Sequence, residues 1–229
     1  MGRPGDWQEG EESVAYVTRA QLLRIAVELS RPIEGNIIEF GVWEGASTRV
    51  IRDTLLRTRL GSRVNGKRIY ACDSFEGLAE AYEHIGAGTF KTDTPNLKGV
   101  RIVKGYFEDT LTPALAKEVG QVSFAHFDAD LYSSTKCALE WVAPLLHTGS
   151  LLQFDEFGGE DPAECRAFLE WSKETGIKTA FIGMFARQPS GKGDMTDRRA
   201  LFQVISTDPL VRYQPSIPAR ALRKLRSLW

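Results

Sequence analysis

The sequence predicts a single α/β domain in which a mostly parallel sheet carries helices on both faces and ends in an antiparallel hairpin. Apolar runs of strand length alternate with segments of helical period along most of the 229 residues. A glycine-containing turn joins the first such strand to the helix that follows it, as in open α/β sheets that bind ligands. Near the C-terminal end two strand-like runs follow one another with no helix between them.

The elements follow in order. Residues 17–29 carry apolar side chains at helical spacing, so an amphipathic helix is expected over about 13–30, packing on the fold or on a partner. Strands are expected at Asn36–Phe40 (NIIEF), 68–72 (RIYAC), Val100–Lys104 (VRIVK), Val122–Phe127 (VSFAHF) and 150–154 (SLLQF). Helices are expected at 47–59, 110–118, 134–143 and 162–174, the last with Asp161 as cap and Pro162 at its first position. The closing hairpin is 178–185 with 199–205. No repeat or linker splits the chain, so one domain spans 1–229, with its core at about 33–206 and a basic tail from 207. Two loops are long, 77–99 with Tyr82 and His84, and 188–197 with Pro189. Long loops of this kind suit lids.

Bulk properties narrow the function. A net charge of -1 gives no field toward nucleic acid. No apolar run of about 18 residues is present, so no membrane-spanning helix is expected. The first twelve residues lack an apolar stretch and do not read as a secretory signal. Cys72, Cys137 and Cys165 are far apart and odd in number, which suits reduced thiols in a cytoplasmic protein, with Cys72 as a small core residue.

The first strand runs into Gly41-Val42-Trp43-Glu44-Gly45-Ala46-Ser47. A dinucleotide site needs a second glycine where the backbone meets the pyrophosphate, and Trp43 stands there instead. A nucleoside cofactor without phosphates has no such need. Asp73 ends the second strand, where a carboxylate can accept from ribose hydroxyls or cap a helix. After the third strand, Gly105-Tyr106-Phe107 either borders an adenine ring or packs into the core.

The strongest pattern is acidic. Asp128 and Asp130 follow one apolar strand, and Asp155 and Glu156 follow the next. Adjacent strands lie roughly 4.8 Å apart, so these carboxylates meet. Like charges so close need a cation or a bound proton. Asp128, Asp155 and Glu156 with open positions suit Mg²⁺ or another divalent ion. Helix capping is the competing explanation. His126, pointing away from Phe127, reads as a satisfied core histidine. His84 is a weaker candidate for acceptor contact. The tail, with Arg220, Arg223, Lys224 and Arg226 among leucines, suits a subunit contact, an anionic surface or a solvated segment.

Four strings together resemble the macrocin O-methyltransferase type, the methyltransferases of macrolide and aminocoumarin sugars. They are EFGVWEGAS from Glu39, DSFEGL from Asp73, DADLYSST from Asp128 and LLQFDEF from Leu151. The resemblance implies a Rossmann-like class I methyltransferase fold, a three-layer sandwich with seven strands. It implies S-adenosylmethionine and Mg²⁺ bound together, Asp128, Asp155 and Glu156 as metal ligands, and Asp130 as general base. Cofactor contacts are then expected from Glu39, Gly41, Trp43, Gly45, Ser47, Asp73, Ser74, Gly105, Phe107 and Asp128. Glu156 stands where the family has a second Asp, and nothing from Gln188 onward matches. The expected acceptor is a hydroxyl of a glycoside or phenol, most simply the sugar of a glycosylated natural product. A homo-oligomer is expected. The competing readings are a metal-independent methyltransferase, a nicotinamide oxidoreductase and a cofactor-binding module without catalysis.

Overall fold

A computed structural model describes residues 18–57, 66–82, 85–158, 162–186 and 198–208. The loop at 188–197, His84, Asp161 and the tail from 209 lie outside these residues, and so do the expectations attached to them.

Helix α1 (Arg19–Ser30) starts at a reciprocal cap. The Thr18 hydroxyl accepts from the Gln21 amide, and the Gln21 side chain accepts from the Thr18 amide. Leu22, Leu23, Ala26 and Val27 form its buried face. Thr18→Ala is expected to cost about 1 kcal/mol of stability, read as a lower urea midpoint with an unchanged slope.

The strands are β1 (Asn36–Phe40), β2 (Ile69–Asp73), β3 (Val100–Lys104), β4 (Val122–Phe127), β5 (Leu151–Phe154), β6 (Lys178–Ala186) and β7 (Arg198–Ser206). Each boundary falls within a residue of its expected place. They form one sheet in the order β3-β2-β1-β4-β5-β7-β6. All contacts from β3 to β5 are parallel, and β7 runs antiparallel between β5 and β6. The expected hairpin therefore closes the sheet with its second strand innermost.

The remaining helices are α2 (Ala46–Leu56), α3 (Phe107–Thr110), α4 (Pro113–Val119), α5 (Tyr132–Val142) and α6 (Ala163–Thr175). The single helix expected at 110–118 is two. Thr112 caps α4 by accepting from the Leu115 amide, and Pro113 takes the first position, so the chain restarts there. At α6 the structure corrects a second detail. Pro162 occupies the cap position at ψ 88 rather than the first helical one. Helical bonding begins with the Arg166 amide donating to its carbonyl.

Helices α1 and α2 cover one face of the sheet, over Ile37, Phe124, Leu151 and Leu201. Helices α4, α5 and α6 cover the other, over Phe40, Phe127, Leu152 and Phe154. On that second face the rings of Phe40, Phe127 and Phe154 stack across β1, β4 and β5 at centroid spacings of 5.1 and 4.7 Å. The packing fixes the relative heights of three strand ends. Chain order reverses between β1 and β4, which opens a crevice at the carboxyl ends of the strands. Cys72 is buried, and all three cysteines are free thiols. No helix among the described residues is long and apolar enough to cross a membrane.

Candidate functional site

The crevice is built first from the turn after β1. Gly41 has φ +90, and a Cβ on it would lie 1.8 Å from the carbonyl oxygen of Asp128. Only glycine lets β1 pass so close to the end of β4. The Asp128 amide donates to the Phe40 carbonyl at 2.8 Å, and the Gly41 amide to the Cys72 carbonyl at 3.0 Å. Asp73 secures the turn from β2. It accepts from the amides of Val42 at 2.7 Å, Trp43 at 2.8 Å and Phe75 at 2.7 Å. A carboxylate has roughly four acceptor positions, so one remains for a ligand hydroxyl. No helix follows Asp73, which removes the capping explanation for it.

A cavity of about 580 Å³ opens beside this turn, a size that suits a small ligand. Of the residues expected to hold a cofactor, Gly41, Trp43, Asp73, Ser74, Phe107 and Asp128 line it. Glu39, Gly45, Ser47 and Gly105 do not reach its wall. Glu39 is fully buried beneath the floor, and Gly45 and Ser47 turn the chain into α2. Gly105, at φ +138, has no room for a Cβ beside Thr110. Tyr106 and Phe107 follow it in the chain. Both border the cavity, and Phe107 also packs edge-on against Phe40 at 5.7 Å. Leu78, Ala79 and Phe90 of the 77–99 loop form part of the wall, with Phe90 edge-on to Trp43 at 5.9 Å.

All four acids line the same cavity. None of them caps a helix: α5 has Leu131 at its cap without a side-chain bond, and α6 has Pro162. Two arginines enter the cluster. Arg19, the first residue of α1, pairs with Asp128 through Nη2 and with Asp155 through Nε at 3.0 Å. Arg199 of β7 grips both oxygens of Asp155, at 2.7 and 3.2 Å. Burial opposes ionisation of Asp155, but the nearby His126 and the two guanidiniums outweigh it and hold the group well below the usual carboxylate range. Asp130 differs. Its backbone is left-handed at φ +58, and no hydrogen bond to its carboxylate is found among the described residues. Burial, then repulsion from Glu156, Asp128 and Asp155, raises it to about 8.

Glu164 of α6 is fully buried and joins the two acidic loops. Its carboxyl accepts from the Ala129 amide at 3.1 Å and the Glu156 amide at 2.9 Å. Beneath the floor, Glu39 accepts from the Thr48 hydroxyl and lies 2.9 Å from His126 Nδ1. His126 Nε2 lies 3.9 Å from Asp155. His126 is therefore a buried, partnered histidine as read from the sequence, but it also connects Glu39 to the acid cluster. Arg19, Arg199 and Glu164 were not anticipated.

The histidine carries a pH prediction. Burial disfavours its charge, yet the nearby carboxylates of Asp155 and Glu39 prevail and raise it from 6.5 to about 9. The folded protein thus keeps a proton that the unfolded chain releases at 6.5. This contribution is complete below that pH and is lost as pH rises through about 9. Melting temperature is expected to fall across that window, and His126→Gln is expected to flatten the fall.

A glycine turn at the switch point, an acid on the neighbouring strand and a carboxylate facing the shared cavity define an α/β domain of the class I methyltransferase kind. The family described as a methyltransferase domain matches residues 38–157, just over half of the 229 residues, and the chain belongs to it. Among curated relatives, a tetracenomycin 4'-O-methyltransferase of Streptomyces olivaceus, acting on the 8-demethyl-8-(2,3-dimethoxy-alpha-L-rhamnosyl) compound, is 29% identical over 69% of this chain. Demethyldecarbamoylnovobiocin O-methyltransferase of Streptomyces niveus is 24% identical over 66% of it. The matches span 66% and 64% of those relatives' own lengths. Among solved structures, the O-methyltransferase NovP superposes with a TM-score of 0.58 at 20% identity, covering 82% of this chain and 79% of its own. The calicheamicin methyltransferase CalS11 gives 0.59 at 19% identity, covering 80% and 77%. The resemblance to sugar O-methyltransferases read from the sequence is borne out, as is the seven-stranded fold.

Proposed function

We propose that the chain is an S-adenosylmethionine-dependent O-methyltransferase acting on a hydroxyl of a small molecule, the sugar of a glycosylated natural product. The observation that carries this reading is Asp130, a carboxylate without a hydrogen-bond partner among the described residues, facing the cavity that also holds the Gly41 turn and Asp73. The residues fit the cofactor. Gly41 and Ser74 offer close backbone approach, Asp73 keeps one acceptor position for a ribose hydroxyl, and Tyr106 and Phe107 offer a flat apolar wall. When bound, the cofactor supplies an electrophilic methyl group on sulfur. The chain then has to hold the acceptor oxygen in line and take its proton. Asp130 takes it. General-base assistance of this kind contributes about 10²- to 10⁴-fold. The sugar acceptor is supported by the rhamnosyl group in the name of the Streptomyces olivaceus relative.

Magnesium, or another divalent ion held by Asp128, Asp155 and Glu156, fits less well. Both oxygens of Asp155 are held by Arg199, and Arg19 lies between Asp155 and Asp128. Among the described residues no set of three or more His, Cys, Asp or Glu side chains is placed to hold a metal.

The test is a titration of the purified protein with adenosylmethionine and with NAD, followed by methyl transfer from labelled cofactor to a panel of glycosides and phenols. Binding of adenosylmethionine and labelled ether product are expected. Binding of NAD alone would favour an oxidoreductase and remove the proposal.

A further inference from the structure

We propose that Arg19 does the work of a divalent cation here: with Arg199 it offsets the charges of Asp128 and Asp155, and its guanidinium holds the acceptor oxygen, so that methyl transfer needs no metal. The inference rests on the O-methyltransferase reading above and specifies the chemistry of that site.

The geometry is that of an occupied cation position. Arg19 bridges Asp128 and Asp155, the two carboxylates best placed to share an ion, and Arg199 closes the far side of Asp155. Two fixed positive charges face two negative ones, so the pair is neutral without help. A divalent ion added there would meet two guanidiniums at close range, a repulsion that favours its exclusion. Arginine suits this position because its planar fork reaches two carboxylates at once and stays charged.

The position is built by the fold. The reciprocal cap at Thr18 fixes the start of α1, and the apolar face of α1 packs on the sheet beneath the same crevice. Arg19 therefore reaches Asp128, 109 residues away in sequence, and Asp155 beyond it. Its Nη2 serves Asp128 and its Nε faces Asp155, while no hydrogen bond of Nη1 is found among the described residues. Arg19 and Asp130 line the same cavity. An acceptor hydroxyl between them would accept from Nη1 and donate to Asp130.

The step balances. The acceptor oxygen forms a bond to the methyl carbon as the sulfur–carbon bond breaks, and its electron pair stays on sulfur as a neutral thioether. The hydroxyl proton passes to Asp130. Arg19 changes neither charge nor oxidation state. It stabilises the negative charge that builds on oxygen while the proton leaves, a type of contribution worth roughly 10²- to 10³-fold when a single donor is removed.

The experiment uses the full chain, stripped with EDTA and titrated calorimetrically with MgCl₂ and, separately, with adenosylmethionine. Wild type is expected to bind adenosylmethionine, to give no saturable Mg²⁺ heat at millimolar ion, and to keep its rate in EDTA. Arg19→Ala is expected to lose about 10²- to 10³-fold in rate and to gain Mg²⁺ binding, because Asp128 and Asp155 lose a counter-charge. Arg19→Lys, which keeps the charge without the fork, should retain the wild-type melt and lose part of the rate. Mg²⁺ heat in wild type with activity abolished by EDTA and restored by the ion would overturn the proposal. A full rate in both Arg19 variants would do the same. Absence of adenosylmethionine heat would instead remove the underlying methyltransferase reading, so the two failures are distinct.

Discussion

Asp130→Asn is expected to lose about 10²- to 10⁴-fold in turnover while binding adenosylmethionine as wild type does. Three features make this substitution a clean one. Asparagine matches aspartate in shape, so the cavity keeps its form. Asparagine also tolerates the left-handed backbone that Asp130 adopts at φ +58, which alanine would adopt only under strain. No hydrogen bond to the Asp130 carboxylate is found among the described residues, and above about pH 8, where it is ionised, its charge is repelled by Glu156, Asp128 and Asp155. Removing that charge breaks no hydrogen bond, so the melt should stay level below about pH 8 and rise above it, where a repulsion is relieved. Single-turnover kinetics and calorimetry check the two halves. Full turnover in the variant would dismiss Asp130 as the base.

Gly41→Ala is expected to have the largest effect on folding, about 4 kcal/mol or more. The new methyl group would sit 1.8 Å from the Asp128 carbonyl oxygen, which is backbone and cannot rotate away. The left-handed conformation at φ +90 adds its own cost for any residue with a Cβ. To relieve the overlap, the ends of β1 and β4 must part. That movement breaks the Asp128-to-Phe40 bond and shifts Asp128 and Asp130 together. Soluble yield and the urea midpoint should both fall. Any folded fraction should bind adenosylmethionine weakly, because the same turn forms the cavity wall. A midpoint close to wild type would show that the strand ends can yield, contrary to the packing described.

Much of the fold was legible because it is written locally. Buried parallel strands are short apolar runs, and runs such as VSFAHF and SLLQF announce themselves. The Gly41 turn was legible for the same reason, since a strand, a glycine and a helix start occupy a dozen residues. The split between α3 and α4 was also written locally, in Thr112-Pro113, a cap followed by a first-turn proline. The acid cluster could be placed from two adjacent strand ends. The identity of its counter-charge could not. The physical requirement for a cation was plain, but a metal and an arginine satisfy it equally, and Arg19 lies on a helix whose docking is set by Leu22, Leu23, Ala26 and Val27 rather than by any motif. Arg199 did leave a trace, a basic residue directly before the apolar run ALFQVI of an expected strand, which asks for a buried partner. Glu164 left none. A glutamate in the first turn of a helix looks solvated, and only the packing of α6 turns it inward onto the Ala129 and Glu156 amides. Glu39, Gly45, Ser47 and Gly105 were expected at the cofactor from the resemblance, and none of the four lines the cavity.

The insertion of β7 between β5 and β6 has a consequence for how the molecule comes into being. A chain leaving the ribosome presents β1 to β5, and with them all four acids, before β7 exists. Until that strand slots in beside β5, Asp155 has no Arg199 to hold it. The last strand of the sheet is thus also the part that makes the crevice electrically tolerable, so a nascent chain has no finished site to offer. Completion of the sheet and readiness of the site arrive as one event in the life of the protein.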